Sequence, residues 1–468
     1  MSEINSTESL IKHIKSLKND NDLNDFKIFE AIKQVAIKNN VWARYEKDRE
    51  TGRISRVLLS IYKYRPKNKN FNSTETLLHY QSNALVIDAE NWDVVAHGPL
   101  NFNKKLNIPK IDQFLKEKKY EITKINDGTT ITLYPWKTRW AIASSNAYDI
   151  SNMVWVGDKS YIQIFKDLVD RLYPEFINET GMEILGTEGN LFLNFTKLDR
   201  TKSYTIVFRH HDFHPIKEDP EKIWQIQVID LSNPYNAVPI TEENKLPCFH
   251  LQEYVDKTKI NSVSELYELT KDSVSDAISG SKPSSGSYAA AAAGSDEPVV
   301  KKFNYGYILT SIDRATTKEN SSIIIQSEFL KKIRSIHYMG WNSEKIKVNK
   351  KNINDVKIMR ALIGSSEIKE LFVSIHPESV PKMKEFEEFL DVVVDLTFDK
   401  LKNDTTTEKE NTYVEKFCCE LVKHIKENSA LKPTTSISRD IVKDWCYETK
   451  YAPIYTKIFF EEFTLGKK

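Results

Sequence analysis

The amino-acid sequence predicts an α+β protein in which a long strand-rich region lies between helical segments. Near the N-terminus apolar residues recur at helical spacing, through the middle they alternate with polar residues, and toward the C-terminus the helical spacing returns. These observations predict N-terminal helices at 1–40, an antiparallel α+β core at 41–340 and an α-helical C-terminal domain at 341–468.

Composition and charge exclude several classes of protein. Lys and Arg number 67 against 66 Asp and Glu, so a nucleic-acid site must be a local basic patch rather than a property of the whole chain. The four cysteines form no CxxC pair, which is typical of a reducing compartment. No apolar run approaches the roughly 20 residues of a membrane span, and the N-terminus does not look like a secretory signal. We therefore expect an intracellular, cytoplasmic protein that does not associate with membranes.

The N-terminal helices and the strands that follow them are predicted by the spacing of apolar residues. Leu10 and Ile14 share one helical face, and Phe29 and Ile32 share another. From Val41 onward, alternation predicts strands. In chain order, the segments that look like strands are 54–64, 79–88, 191–195, 204–208, 224–231, 305–311 and 322–326.

Helical spacing recurs inside and after the strand-rich region. It predicts core helices at 111–118, 161–173 and 263–278, and C-terminal helices at 356–363, 380–401, 412–427 and 438–447. Residues 279–298 are rich in Ser and Gly and include an alanine run, which predicts a flexible exposed loop, either native or an engineered or repeat-expanded insert.

A lysine precedes a tight acidic-glycine turn that opens a predicted β-hairpin. Lys124 lies three residues before the Asp127-Gly128 pair, and two apolar runs, 130–134 and 139–144, follow it. Covalent nucleotidyl transfer needs a lysine amine that attacks an α-phosphate, carboxylates that hold a divalent metal, and cations that offset the triphosphate. Lys124 and Asp127 are therefore the candidate catalytic residues. Asn-Asp-Gly is also a good turn by itself, so a structural interpretation stays open.

The segments around this turn resemble, in the same chain order, RNA-ligase-like proteins of large DNA viruses and phages, which belong to the covalent nucleotidyltransferase superfamily. The segments that carry the resemblance are Ser82–Ala96, Asp127–Tyr134, Trp140–Asn146, Tyr204–Pro215, Trp224–Asp230, Asn304–Leu309 and Ile323–Phe329.

The resemblance implies an antiparallel nucleotidyltransferase-type core and, for an active enzyme, ATP with Mg²⁺ or Mn²⁺. Lys124 would carry the adenylate during the joining of RNA ends, and Asp127 would orient its loop. The residues expected to contact the nucleotide are Gly128, Lys137, Arg139 and Arg209. The metal ligands stay unknown.

Several positions depart from the family's pattern. The family's nucleophile would fall at Ile125 rather than Lys124, its pocket glutamate near Arg209 and its metal-site glutamate at Tyr305. Its paired lysines in the last strand would fall at about 323 and 325, which are both isoleucines. These changes favour an alternative, a catalytically degenerate fold that binds RNA or protein partners within a viral assembly in the host cytoplasm or the virion. An unrelated α+β scaffold with chance motif matches stays open as a third interpretation.

RNA is the expected partner because one basic stretch is interleaved with aromatic residues. The predicted RNA-binding residues are Lys331, Lys332, Arg334, Lys345 and Lys347, with Tyr338 and Trp341 between them. Cations that follow phosphates and rings that stack on bases are the combination that single-stranded RNA binding uses. A solvated helix face is the alternative. The run from Arg209 to His214 holds three histidines and is either a metal site or the end of a strand.

Overall fold

The fold is that of a computed structural model. It describes residues 4–19, 23–61, 76–103, 107–154, 159–187, 189–211, 220–270, 304–311, 322–337, 353–364, 366–376, 379–403, 412–428, 438–447 and 451–459. The described residues up to Thr270, together with 304–327, form one compact unit, and those from Glu328 onward form a second. No helix in these ranges is both long and apolar enough to span a membrane.

The N-terminal part of the first unit is a four-stranded antiparallel sheet, the N-terminal sheet, covered by two helices. The helices are α1 (Thr7–Lys18) and α2 (Asp25–Lys38), and the strands are β1 (Val41–Lys47), β2 (Ile54–Ile61), β3 (Leu85–Asp88) and β4 (Val94–Ala96). Ser6 caps α1 by accepting a hydrogen bond from the Ser9 backbone N–H. Apolar residues from both helices and from β1–β3 form one buried cluster, so the helices and the sheet fold as one body.

The large sheet of eight strands forms the centre of the first unit. Its strands are β7 (Thr129–Trp136), β8 (Arg139–Ala143), β9 (Met182–Thr187), β10 (Asn190–Phe195), β11 (Lys202–Arg209), β12 (Lys222–Asp230), β13 (Ala237–Val238) and β14 (His250–Leu251). They pair in the order β13-β12-β11-β7-β8-β10-β9, with β14 parallel to β12. Helices α5 (Tyr161–Leu172) and α6 (Pro174–Thr180) pack on one face, and the N-terminal sheet packs on Tyr134 and Trp136 of the other.

The small sheet has the order β5-β16-β15-β6. Its strands are β5 (Phe102–Asn103), β6 (Tyr120–Lys124), β15 (Gly306–Ser311) and β16 (Ser322–Gln326), and the short helix α3 (Leu77–Gln81) precedes them in the chain. Helices α4 (Ile108–Lys116) and α7 (Val263–Glu268) cover the face that carries Tyr120, Ile122, Tyr307 and Leu309. Strand β6 leads directly through residues 125–128 into β7, so the Lys124 turn joins the small sheet to the large one.

The second unit is α-helical throughout its described residues. Its helices are α8 (Glu328–His337), α9 (Ile353–Ile363), α10 (Ser366–Ile375), α11 (Val380–Lys402), α12 (Tyr413–Asn428), α13 (Arg439–Cys446) and α14 (Ala452–Ile458). Their apolar faces share one buried cluster that includes Phe386, Phe389 and Tyr455. The predicted α-helical C-terminal part is confirmed.

Most predicted elements are present, and the differences have local causes. The segment predicted as a strand at 79–88 begins as α3, because the Thr76 side chain accepts a hydrogen bond from the His79 N–H and caps a helical turn. The compact units also divide the chain differently from the predicted boundaries. The N-terminal helices share a core with β1–β3, and α8 belongs to the helical unit rather than to a core ending at 340. The predicted loop at 279–298 lies outside the described residues.

Candidate functional site

Lys124 is the last residue of β6 and is paired with Glu253, a residue that no sequence motif indicated. Its backbone N–H donates to the Glu253 carbonyl (3.0 Å), and its Nζ lies 2.6 Å from Glu253 Oε2. Both side chains are about two-fifths exposed. Residues just after β14 run beside β6, which places Glu253 next to Lys124.

The alternation of side chains along β6 determines which face Lys124 occupies. Tyr120 and Ile122 point into the cluster covered by α4 and α7, and Lys124 falls on the same face, directly opposite the buried Tyr307 of β15. The pairing continues one residue further, because the Ile125 N–H donates to the Gly306 carbonyl (2.9 Å). Ile125, where the family's nucleophile would fall, is therefore on the opposite face.

Asp127 and Gly128 pack against the end of β11. Asp127 is buried, and its backbone carbonyl accepts a hydrogen bond from Arg209 Nε at 3.1 Å. A β-carbon on Gly128 would lie 2.6 Å from the Phe208 carbonyl oxygen, so the close approach of β11 requires glycine at this position. Between Lys124 and Asp127, the buried Nδ2 of Asn126 has no hydrogen-bond partner in the described structure.

Arg209 connects the two sheets at this turn. The residue is 6% exposed, and its guanidinium lies 5.0 Å from the ring centre of Trp224 in the large sheet and 5.4 Å from that of Tyr305, just before β15. Together with its hydrogen bond to the Asp127 carbonyl, these contacts place a cation between aromatic rings. The sequence predicted Arg209 near the nucleotide and gave no indication of the two rings.

Two further positions of the family's pattern lie in the small sheet. Ile323 and Ile325 of β16 are buried in the cluster under α4 and α7, and their neighbours on the other face are Ile324 and Gln326. β16 therefore offers no lysine on either face. Within the described residues, no three His, Cys, Asp or Glu side chains are arranged to hold a metal ion. The two positions at which the family's pattern has glutamates hold Arg209 and Tyr305 in this chain, so neither supplies a carboxylate for a divalent metal.

Lys137 and Arg139 are not brought to this turn. They lie at the β7–β8 turn, and strand β7, whose eight residues extend over roughly 23 Å, lies between that turn and Gly128. Lys137 Nζ lies 3.2 Å from Asp48 Oδ2, and Arg139 lies 3.8 Å from Asp149. The structure therefore divides the predicted nucleotide contacts between the two ends of one strand.

The predicted RNA-binding residues belong to the second unit or lie outside the described residues. Lys331 and Lys332 are on α8, where Lys331 forms a 2.5 Å ion pair with Glu328. Arg334 is also on α8, and its side chain is outside what the structure describes. Lys345 and Lys347 lie outside the described residues, so the predicted basic stretch stays a prediction.

Next to Arg209, three side chains surround a carboxylate. Glu221 Oε2 lies 2.7 Å from Arg171 Nη1. The other carboxylate oxygen, Oε1, lies 3.8 Å from His210 Nε2 and 3.8 Å from His211 Nδ1. Burial acts to raise the pKa of Glu221, but hydrogen bonds from Arg171 and the His211 N–H outweigh it and hold the pKa below its usual value. The cluster contains a single carboxylate that is already paired with Arg171, which favours a structural role.

Comparison with known proteins identifies relatives over most of the chain, although no family model matches it. A protein named "Putative RNA-ligase" from African swine fever virus (a tick isolate from Pretoriuskop, South Africa) is 25% identical over 402 residues, covering 82% of this chain and 79% of the relative. The protein of the same name from the Vero-adapted Badajoz strain is 24% identical over 423 residues, covering 86% and 82%.

Solved structures similar to this chain include three ligases. An archaeal ATP-dependent RNA ligase has a TM-score of 0.38 at 9% identity, covering 78% of this chain and 83% of that one. A protein named "Putative ATP-dependent DNA ligase from Aquifex aeolicus" has a TM-score of 0.37 at 11% identity, covering 86% of this chain and 100% of that one. A Naegleria gruberi RNA ligase with PPi has 0.28 at 11% identity, covering 62% and 77%.

The resemblance inferred from the sequence motifs is confirmed. The chain is similar to viral proteins named as RNA ligases, and it has a core of antiparallel sheets with helices and a helical C-terminal part. The relatives it resembles over about four-fifths of its length are proteins of African swine fever virus.

Proposed function

We propose that this chain is an RNA-ligase-like protein that binds RNA but forms no lysyl-nucleotide intermediate at Lys124. The observation that carries the proposal is the face of β6 on which Lys124 lies. It shares that face with Tyr120 and Ile122, which α4 and α7 cover, and its own partly exposed amine is paired with Glu253. An amine that is to attack an α-phosphate must instead be aligned with the nucleotide to within a few tenths of an ångström.

The charges around Asp127 support the same proposal. The resemblance implies a carboxylate near position 209, and this chain has a buried arginine there. A guanidinium repels a divalent metal ion, and β16 supplies no lysine to offset a triphosphate. A single missing group can be compensated elsewhere, but loss of the metal ligands together with the phosphate-binding cations removes the main sources of transition-state stabilisation.

RNA binding is inferred from the names of the viral relatives and from the basic residues of the chain. The viral relatives carry the name of an RNA ligase. The basic residues on α8 that the sequence predicts as RNA contacts belong to this proposal, as do protein partners within a viral assembly.

The second candidate function is an active RNA ligase that uses ATP with Mg²⁺ or Mn²⁺ and Lys124 as its nucleophile. Two observations favour it. An ion pair as exposed as Lys124–Glu253 is worth about 0–1 kcal/mol, so the amine can leave Glu253 at little cost. The orphaned Nδ2 of Asn126 would also gain an acceptor from a nucleotide bound at the turn.

Self-labelling separates the two functions. The full chain is incubated with α-labelled ATP, or with GTP in parallel, and with Mg²⁺ or Mn²⁺, beside Lys124→Ala, Glu253→Gln and the control Lys119→Ala. Lys119 is also exposed and ion-paired, near the start of β6. We expect no label that survives denaturation in any of the four proteins.

A label that Lys124→Ala abolishes and Lys119→Ala retains would contradict the proposal and establish the ligase. A label found only in Glu253→Gln would identify Glu253 as the group that restrains the amine; the unsubstituted chain would still form no intermediate, but the altered charges around Asp127 would not be the reason. An authentic RNA ligase labelled in the same reactions verifies the reagents.

A further inference from the structure

A cleft of about 640 Å³ lies where three hairpin turns of the first unit meet, far from the Lys124 turn. The turns are those between β1 and β2, between β7 and β8, and between β9 and β10. We call this the three-hairpin cleft.

The lining of the three-hairpin cleft carries an excess of positive charge. Its cationic residues are Lys47, Arg49, Arg56, Lys137 and Arg139, and its acidic residues are Glu46 and Asp48. The two acids are each bound to one cation, Glu46 to Arg56 at 2.6 Å and Asp48 to Lys137 at 3.2 Å. Lys47 and Arg49 form no ion pair in the part of the chain that the structure describes. A chain with almost no net charge thus concentrates cations in one concave site.

The turn that presents Arg49 is held in one conformation by its own hydrogen bonds. Asp48 Oδ1 accepts from the backbone N–H groups of Glu50 and Thr51, and the Asp48 N–H donates to the Arg53 carbonyl. Lys47, at the end of β1, lies with its Nζ 4.9 Å from the centre of the Phe26 ring. The backbone that carries Arg49 is therefore held in place before any ligand binds.

The floor of the three-hairpin cleft is a buried arginine. Arg56 is 1% exposed, donates to Tyr134 Oη at 2.7 Å, and lies over the Trp136 ring at 4.5 Å. Because these contacts join β2 of the N-terminal sheet to β7 of the large sheet, they keep the turns that line the cleft together.

An exposed aromatic side chain lies on β1, four residues before Glu46 and outside the lining of the three-hairpin cleft. Trp42 lies on the same face of β1 as Glu46 and is 43% exposed, and the Arg44 guanidinium lies 4.4 Å from its ring centre. A ring on which a base can stack, next to cations that can follow phosphates, suits a single strand of nucleic acid better than a free nucleotide.

We propose that the three-hairpin cleft binds the phosphate groups of single-stranded RNA, with Lys47 and Arg49 as the phosphate contacts and Trp42 as a stacking platform for a base. The inference rests on the RNA binding of the proposed function and assigns it to a definite surface. It does not depend on whether Lys124 is active.

The salt dependence of RNA binding tests the proposal. Fluorescence anisotropy of a labelled single-stranded RNA is measured at several salt concentrations for the full chain and for a Lys47→Ala/Arg49→Ala variant. Each phosphate contact on a single strand contributes a slope of about −0.7 to log K against log[salt], so removing two contacts should make the slope shallower by about 1.4. Trp42→Ala should weaken binding while the slope stays unchanged, because stacking releases no counterions.

The matched control is Lys12→Ala/Lys33→Ala, which removes two exposed lysines from α1 and α2 and changes the net charge equally. We expect its slope to equal that of the unsubstituted chain. Equal slopes for the cleft variant and this control would overturn the inference while RNA binding itself stands. Absence of RNA binding by the unsubstituted chain would overturn both the inference and the RNA-binding part of the proposed function.

Competition separates RNA phosphates from those of a free nucleotide. Inorganic triphosphate and ATP are titrated against the bound RNA. If either of them binds the chain in a way that requires Lys47 and Arg49, while RNA binding is unaffected by their loss, the three-hairpin cleft is a nucleotide site and the assignment to RNA is wrong. The assignment to RNA is supported if triphosphate and ATP displace the RNA only at the concentrations at which any other polyanion of the same charge displaces it.

Discussion

Replacing Gly128 by alanine tests whether the glycine of the Asp-Gly pair is required by the fold. In the structure, a β-carbon at position 128 would lie 2.6 Å from the Phe208 carbonyl oxygen and 2.9 Å from Val207 Cγ1. The backbone of Gly128 adopts no left-handed conformation, so the substitution adds a collision without adding conformational strain.

The size of the effect follows from what must move. Ordinary contact begins at 3.4 Å, so the Phe208 carbonyl would have to retreat by about 0.8 Å. Phe208 lies in the middle of the large sheet, paired with Thr129 on one side and Ile223 on the other, and cannot shift alone. Overpacking of this kind costs about 1–3 kcal/mol, and we expect Gly128→Ala to lose about 2 kcal/mol of unfolding free energy.

Urea unfolding followed by tryptophan fluorescence measures the change. Gly52 provides the control, because it has a φ of +67° and a β-carbon there would meet nothing within 4 Å. Gly52→Ala should lose about 1 kcal/mol through backbone strain alone, and Gly52→Asn should recover most of it, since asparagine tolerates this conformation.

At Gly128 the asparagine variant must be less stable than the alanine variant, the reverse of the order at Gly52. Asparagine is larger than alanine and meets the same backbone. The reasoning is refuted if Gly128→Ala is as stable as the unsubstituted chain to within about 0.5 kcal/mol. It is also refuted if asparagine is tolerated at Gly128 better than alanine.

Three further substitutions test other contacts. Arg56→Met should lose about 3 kcal/mol of unfolding free energy in urea titrations, because it removes the ion pair with Glu46 and the hydrogen bond that the Tyr134 hydroxyl accepts, leaving that hydroxyl only its bond to the Tyr148 carbonyl; an unchanged midpoint would contradict this. Hydrogen bonds from the Thr51 backbone N–H, and then from Lys137 and the Glu50 backbone N–H, lower the pKa of Asp48 to about 2. Its contribution to stability is therefore complete above its ordinary pKa near 4 and is lost as the pH falls toward 2, so Asp48→Asn should be less stable than the unsubstituted chain at pH 6 and equal to it near pH 2; a constant difference would refute the assignment. Arg209→Lys should lose about 1–2 kcal/mol, because an ammonium can neither reproduce the Nε bond to the Asp127 carbonyl nor stack between two rings, and thermal unfolding would show no shift if lysine were equivalent.

The sequence was sufficient for the elements with clear periodicity and insufficient for the pairings between them. Helix α5 (Tyr161–Leu172) and strand β11 (Lys202–Arg209) were predicted to within two residues at each end, because each has one continuous apolar face. Glu253 gave no signal. It follows Lys124 by 129 residues in a segment without periodicity, and it reaches Lys124 only because the chain pairs with β12 and then runs beside β6.

The alternation of side chains between the two faces of a strand explains why the candidate site was only partly predictable. The sequence shows that Lys124 is one residue early relative to the family's nucleophile. On a strand, one residue changes the face, so the same offset changes the surroundings of the amine completely. Lys137 and Arg139 show that closeness in the sequence does not predict closeness in the structure. Only about ten residues separate them from Gly128 in the sequence, yet most of those residues form strand β7, which is extended over roughly 23 Å and holds its two ends apart.

On the proposed function, Arg209 indicates how an RNA-ligase-like fold can persist without the chemistry. A fold that binds Mg²⁺ and a nucleotide between two sheets needs carboxylates for the metal and an open space for the base. Here a guanidinium contacts Trp224 in the large sheet, Tyr305 beside the small sheet and the Asp127 carbonyl between them, so a side chain of the protein links the sheets. Removal of Arg209 would weaken that link without restoring the carboxylates that metal binding requires. On the proposed function, Arg209→Ala should therefore lose stability and gain no self-labelling, whereas an enzyme in which Arg209 only blocks the nucleotide would lose stability and begin to label.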